Sequence, residues 1–223
     1  MSLFDYPKKS YLGRILPKTK IYEHTGANTK LKELFVRQVD QIVWKNKLAP
    51  ETINVPATEY VPEIQIFAVS LKMGQLHQDV LRSIDKAIPF PILYEVTYEG
   101  KIKVTACYKR PNESDAEKWV VGNYFTTEWL KEAETRHTLP VRLDLGGLYE
   151  ELLGSLIPYL PRKGETLQQR VERADAIASK EKELAKIEAI LEREKQFNRK
   201  VEINAKIRII NQQIETLKGL SGK

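Results

Sequence analysis

The chain has 223 residues, of which 42% are hydrophobic and 30% charged; that is enough apolar material for a packed core and excludes a wholly disordered chain. With 36 Lys and Arg against 30 Asp and Glu the net charge is +6, a balance that permits contact with nucleic acid without demanding it. The single cysteine, Cys107, excludes an internal disulfide framework and a multi-cysteine zinc site. No apolar run is long enough for a membrane span and the N-terminal residues lack a signal-peptide core, so a cytoplasmic location is expected.

Residues 1–24 read as an arm in which Phe4, Tyr6, Tyr11 and Tyr22 interleave with Lys8, Lys9, Arg14, Lys18 and Lys20. Pro7 and Pro17 break any long helix there. Such a pattern suits nucleic acid, with rings stacking and cations meeting phosphates; the competing use is an arm pinned to the domain or to a partner by its aromatics.

Thr29 is placed to cap a helix over 30–46, with Leu31, Leu34, Phe35, Val39, Ile42 and Val43 near helical spacing. The alternative is a helix ending near Val39, followed by a strand through 41–45. Residues 63–72 alternate as a strand. Residues 78–87 read as a helix with Val80, Leu81, Ile84 and Ile88 on one side, ended by Pro89 and Pro91. The runs 92–98 and 101–108 flank Glu99-Gly100 and form a hairpin. A strand over 119–124 follows, then a helix over 128–134 behind Thr127, a linker or short strand over 141–147, and an apolar helix over 148–157. Residues 25–163 thus make an α+β domain, a mostly antiparallel sheet with packed helices.

Composition changes near Pro161-Arg162-Lys163-Gly164, beyond which there is no Pro or Trp. Residues 164–223 are expected to be a helical, coiled-coil tail, about 80 Å long if 165–218 form one straight helix. Leu184, Ile187, Leu191 and Val201 keep one heptad phase; Ile203, Ile207, Ile210, Ile214 and Leu217 keep another. The mismatch places a stutter or a turn near 197–202, and the absence of Gly and Pro favours one continuous helix. Its apolar seam needs a partner, either a second copy or another protein.

No Gly-rich phosphate loop is present, and His24, His77 and His137 lie far apart, so no cofactor or metal is expected. Cys107 lies within an apolar strand and reads as an inert buried thiol. A Mg²⁺-dependent nuclease needs an Asp on one strand and Glu-x-Lys on its neighbour, carboxylates for the metal and Lys for water or the transition state. Glu99-Gly100-Lys101 matches the letters but falls on the hairpin turn. Glu63-Ile64-Gln65 lies on a strand, and the candidate catalytic set is Asp40, Glu63 and Lys72.

Several segments resemble the bacterial family called domain of unknown function 4391: residues 47–54, 63–67, 84–92, 108–110 and 143–153, the last reading Leu143-Asp144-Leu145-Gly146-Gly147-Leu148-Tyr149-Glu150-Glu151-Leu152-Leu153, together with the Lys- and Glu-rich tail. The resemblance covers most of the chain and rests on structural motifs. It implies a setting near helicases and DNA methyltransferases in defence or restriction-like loci, and no catalytic residues.

The expectation is therefore a non-enzymatic accessory subunit of a bacterial DNA-processing complex, docking on a helicase or methyltransferase-type protein through the tail, with homo-oligomerisation through the same seam also open; the alternatives are a direct nucleic-acid-binding protein or a Mg²⁺-dependent nuclease. Direct nucleic-acid contact is expected from Lys8, Lys9, Arg14, Lys18 and Lys20 in the arm and from Arg193, Lys195, Arg199 and Lys200 in the tail.

Overall fold

The computed structural model of the protein describes residues 3–112 and 115–219, with the backbone alone for 115–118. The chain divides into two units, Met1–Ile157 and Pro158–Lys223.

The first unit runs β1 (Phe4–Asp5), a 3₁₀ turn (Lys8–Ser10), β2 (Tyr11–Ile15), α1 (Lys18–Thr25), α2 (Thr29–Gln38), β3 (Val39–Leu48), α3 (Pro50–Ile53), β4 (Ile64–Leu71), α4 (Gln78–Ala87), β5 (Ile92–Tyr98), β6 (Lys101–Asn112), β7 (Asp115–Thr126), β8 (Leu130–Lys131), β9 (His137–Thr138) and α5 (Leu145–Gly154). The arm belongs to this unit. Its β2 is an edge strand of the main sheet, and its β1 pairs in parallel with β9.

The main sheet has the order β2-β3-β4-β5-β6-β7, with β8 beside β6. Every pair is antiparallel except β4 and β5, which are parallel. The sheet is therefore mixed, where a mostly antiparallel one was expected. The reason lies between the two strands: α4 carries the chain back to its starting end, so β5 enters in the same direction as β4.

The α4 helix is held by its ends and by one face. The His77 Nδ1 accepts from the Asp79 N–H at 3.2 Å, and Val80, Leu81 and Ile84 are buried. They pack with Phe35, Val39, Ile42, Phe67, Val69, Tyr94 and Val96 in one core cluster. The alternate residues Ile64, Ile66, Leu93 and Val104 are equally buried, so both sheet faces are covered.

The second polypeptide choice at 29–48 is the one adopted. The helix α2 ends at Gln38 and β3 begins at Val39. Asn28, not Thr29, caps α2, its Oδ1 accepting from the Leu31 N–H at 2.9 Å. Two ammonium groups close the other end: Lys18 donates to Val39 O at 2.5 Å and Lys72 to Val36 O at 2.9 Å, cations meeting the carbonyl pole of the helix. The Glu99-Gly100 turn has φ of 47° and 70°, the left-handed pair that a two-residue hairpin requires. The helix expected over 128–134 is absent; β8 and a turn occupy that stretch, because Thr127 Oγ1 accepts from the Val104 N–H at 3.0 Å and draws the chain along β6. Asp144 caps α5, accepting from the Gly147 N–H at 2.8 Å.

The second unit is a helical hairpin, α6 (Leu167–Arg193) and α7 (Phe197–Lys218). This corrects the continuous helix favoured by the sequence. The turn residues Glu194 and Gln196 have φ, ψ of −72°, 134° and −81°, 125°, extended values open to any residue, so no Gly or Pro was needed. The Glu194 carboxylate accepts from the N–H groups of Lys195 and Gln196 at 2.7 and 2.8 Å and holds the turn. The seam closes on itself: Ile177, Ile210 and Ile214 are buried together, with Leu184, Ile187, Leu217 and Tyr159 packed around them.

Candidate functional site

The strands β2 and β3 both depart from regular pairing at the same level. The register shifts between Tyr11 and Arg14 on β2 and between Trp44 and Asn46 on β3. Bulges of this kind re-aim a side chain. Trp44 stays with Phe67, its ring stacked at 6.3 Å and 12°, and Lys45 is the extra residue. Its Nζ donates to Glu95 Oε2 at 2.5 Å.

Glu95 is a buried carboxylate in the middle of β5. A charge in that position must be paired, and it is paired twice. Arg136 Nη1 donates to Glu95 Oε1 at 2.6 Å and Nη2 to Oε2 at 3.3 Å, while Nη1 also reaches Phe4 O at 3.1 Å. Burial alone would lower the Arg136 pKa; its bonds to Glu95 outweigh that and raise it. Burial, and then the Glu95 charge, push the Tyr6 hydroxyl well above its ordinary range, with Arg136 opposing. Tyr6 therefore stays a neutral phenol.

The arm lies over this carboxylate. Asn46 Nδ2 donates to Ser10 Oγ at 2.8 Å, and Ser10 Oγ donates to Pro7 O at 2.7 Å, which ties the turn at 7–10 to β3. Between the arm and β3 opens a cleft of about 450 Å³, lined by Phe4, Asp5, Tyr6, Lys8, Tyr11, Lys45, Asn46 and Arg136. Residues Asp5, Tyr6 and Lys8 also wall a neighbouring cleft of about 560 Å³ that runs along Thr138, Leu139 and Pro140. At the first cleft the cations Lys8, Lys45 and Arg136 face the carboxylates Asp5 and Glu95. One positive charge is in excess, beside rings that a flat ligand can stack on.

The expected residues are distributed unevenly. Lys8 and Tyr11 line the cleft; Lys9, Arg14 and Lys20 are exposed on the same unit. Lys18 is committed to the carbonyls of Phe35 and Val39 at the C-terminal end of α2, with its pKa lowered by burial and by Lys72. Arg193, Lys195, Arg199 and Lys200 are exposed around the hairpin turn of the other unit. The set Asp40, Glu63 and Lys72 is not assembled. Val39 pairs with Leu71 and Leu48 with Ile64, so Asp40 and Lys72 lie at one end of the β3–β4 pair and Glu63 at the other, with Glu63 and Lys72 about 30 Å apart along the strand. Glu63 instead pairs with Lys47 at 3.0 Å and accepts from Gln65; Lys47 also holds Glu51 at 2.8 Å. Of the tail seam, Val201 is exposed, Leu191, Ile203 and Ile207 are half-buried, and Leu184, Ile187, Ile210, Ile214 and Leu217 belong to the hairpin's own interior. Sequence reasoning missed Glu95, Lys45, Asn46 and Arg136. The available signal was Glu95 itself, a charge inside the run Ile92–Tyr98, whose first five residues are all buried.

A second polar group is fully enclosed. Lys109 and Asp85 are both buried, 3.4 Å apart, and Tyr124 donates to Asp85 Oδ2 at 2.5 Å. Lys109 also donates to Ile88 O. Burial raises the Asp85 pKa and lowers that of Lys109. Arg82 donates to Val121 O and Gly122 O at 3.1 and 3.3 Å. These contacts fasten α4 to β6 and β7. Cys107, beside them, is buried, and its thiol is pushed up by burial. Among the described residues no cluster of His, Cys, Asp and Glu fits a metal ion, and no helix is long and apolar enough to cross a membrane.

A family model, domain of unknown function (DUF4391), matches residues 4–214. The chain belongs to this family. The match spans both units, so the hairpin is as much part of the DUF4391 pattern as the sheet and its cleft. Comparison with curated proteins and with solved structures returns no match.

Proposed function

We propose that this DUF4391 protein is a nucleic-acid-binding accessory subunit, holding a single strand in the cleft between its arm and β3. The observation that supports this reading is the lining of that cleft, where Lys8, Lys45 and Arg136 stand beside Tyr6 and Tyr11 around a buried Glu95. A phosphodiester matches the excess charge, and a base matches a tyrosine face. Glu95 fixes the two inner cations so that they need no reordering when an anion arrives. The larger machine served is a helicase or DNA-modification enzyme of a bacterial defence or restriction-like system, the setting that the family resemblance implies. The subunit acts in the cytoplasm and contributes grip rather than chemistry.

Fluorescence anisotropy of a labelled single-stranded oligonucleotide tests this. With up to three phosphate contacts, log K against log salt should fall with a slope of about −2. Tyr11→Ala should weaken binding by about 1–3 kcal/mol, and Lys45→Ala should flatten the salt slope. Binding that ignores salt, or that survives both substitutions, would sink the reading.

A further inference from the structure

We propose that the outer face of α7 is a docking surface for an acidic amphipathic helix of another protein. The inner face of α7 is occupied, since Ile210 and Ile214 are buried against α6. On the opposite side Phe197, Val201, Ala205 and Ile209 recur every four residues and are all exposed. Phe197 is 78% exposed, Val201 54% and Ile209 56%. Residues four apart lie on one inclined ridge of a helix, here about 18 Å long. An apolar ridge of that spacing fits the groove of a second helix.

Charge selects among occupants. Over residues 193–208 there are Arg193, Lys195, Arg199, Lys200, Lys206 and Arg208 against Glu194 and Glu202. Glu194 is already engaged by two backbone N–H groups. The ridge thus lies in a basic surround and calls for an apolar partner with acidic flanks. A second copy fits poorly: an antiparallel pairing that sets Phe197 on Ile209 brings Lys200 of one copy against Lys206 of the other. An anionic bilayer fits poorly too: a plane broader than one helix also meets the adjoining α6, where Glu188 and Glu192 are exposed, although Glu181 and Glu183 are held by Lys218 and Lys180. This surface is independent of the cleft and does not rest on the nucleic-acid reading.

The test uses the full chain and two synthetic helical peptides of the ridge's length, identical in their Leu stripe, one flanked by Glu and the other by Lys. Fluorescence anisotropy should show the Glu peptide bound at least about tenfold more tightly. Phe197→Asp should weaken it by a similar factor, with helicity by circular dichroism unchanged; if that variant loses helicity, Val201→Asn decides instead. Lys200→Glu combined with Arg208→Glu should reverse the peptide preference while leaving the stripe intact. Equal binding of both peptides, or binding of neither, overturns the proposal. So does a solution dimer that Phe197→Asp converts to monomer, which assigns the face to a second copy, or co-sedimentation with phosphatidylglycerol vesicles that Phe197→Asp abolishes, which assigns it to lipid.

Discussion

The ammonium of Lys45, the extra residue of a β-bulge, meets the buried carboxylate of Glu95 at 2.5 Å. The contact joins a backbone irregularity to the charge that organises the cleft. Glu95→Gln removes the counter-charge of Lys45 and Arg136 together. Both cations retain some exposure, so the loss should stay below that of a fully enclosed pair, about 2 kcal/mol by urea denaturation. The same change adds one net positive charge to the cleft. Oligonucleotide affinity at low salt should therefore rise, and the salt slope should steepen by about 0.7. Stability and affinity moving in opposite directions is the signature to look for; a parallel loss of both would mean that Glu95 matters to the fold alone.

Asp at Ile210 or Ile214 tests where the tail's seam is buried. A carboxylate placed there enters the apolar cluster of Ile177, Leu184 and Leu217, and such a burial costs more than about 3 kcal/mol. Either substitution should open the hairpin, with a loss of helical signal at 222 nm. Val201→Asp, on the exposed side, should leave that signal unchanged. A seam that instead served a second subunit would show the reverse, with helicity kept and particle mass reduced.

These residues also show what the sequence could reveal. The hairpin at Glu99-Gly100 was legible because both turn positions need a left-handed backbone and Gly supplies one. The helix α4 was legible from its apolar spacing and the prolines behind it. The tail was misread because its turn uses ordinary extended dihedrals, and its heptad mismatch marked a fold-back rather than a stutter. The parallel β4–β5 pair was overlooked although the helix between two strands announces it. The arm pattern located Lys8 and Tyr11, but Lys45, Glu95 and Arg136 come from distant strands and a loop. Local periodicity says nothing about a charge triad closed across 41 residues of chain between Glu95 and Arg136.

Acid should loosen the hairpin at its base. Arg173 donates to both Glu165 oxygens at 2.6 and 2.7 Å, and the Arg162 N–H adds a third bond at 2.9 Å. The Arg173 bond, chiefly, lowers the Glu165 pKa from 4.5 to about 2. A carboxylate depressed in the folded state stabilises it fully above the unfolded value, and that contribution fades as pH falls from 4.5 to 2. Glu165→Gln should melt below the parent at pH 6, and the gap between them should close on acidification through that window. A gap independent of pH would show that the pair contributes through packing, not charge.

The Asp85–Lys109 pair should behave as a clamp whose halves are worthless alone. Asp85→Ala leaves Lys109 buried among Ile88 O and Tyr124 with no counter-charge, at a cost of about 3–5 kcal/mol. Replacing both, as Asp85→Leu with Lys109→Met, removes the desolvation penalty along with the attraction and should recover most of that loss. A double variant as unstable as the sum of the singles would deny the coupling.

Gly13 links the edge strand to the cleft wall. Its φ is +61°, and a Cβ there would stand 2.5 Å from the hydroxyl oxygen of Tyr11, whose ring folds back over it. Gly13→Ala therefore strains the backbone by about 1 kcal/mol and displaces the ring. If Tyr11 stacks on a base, this variant should bind the oligonucleotide as weakly as Tyr11→Ala does. Combining the two should add nothing further to the loss of affinity, because each removes the same ring from the same wall. Additive losses in the double variant would place the Gly13 effect on the strand itself and detach Tyr11 from the binding surface.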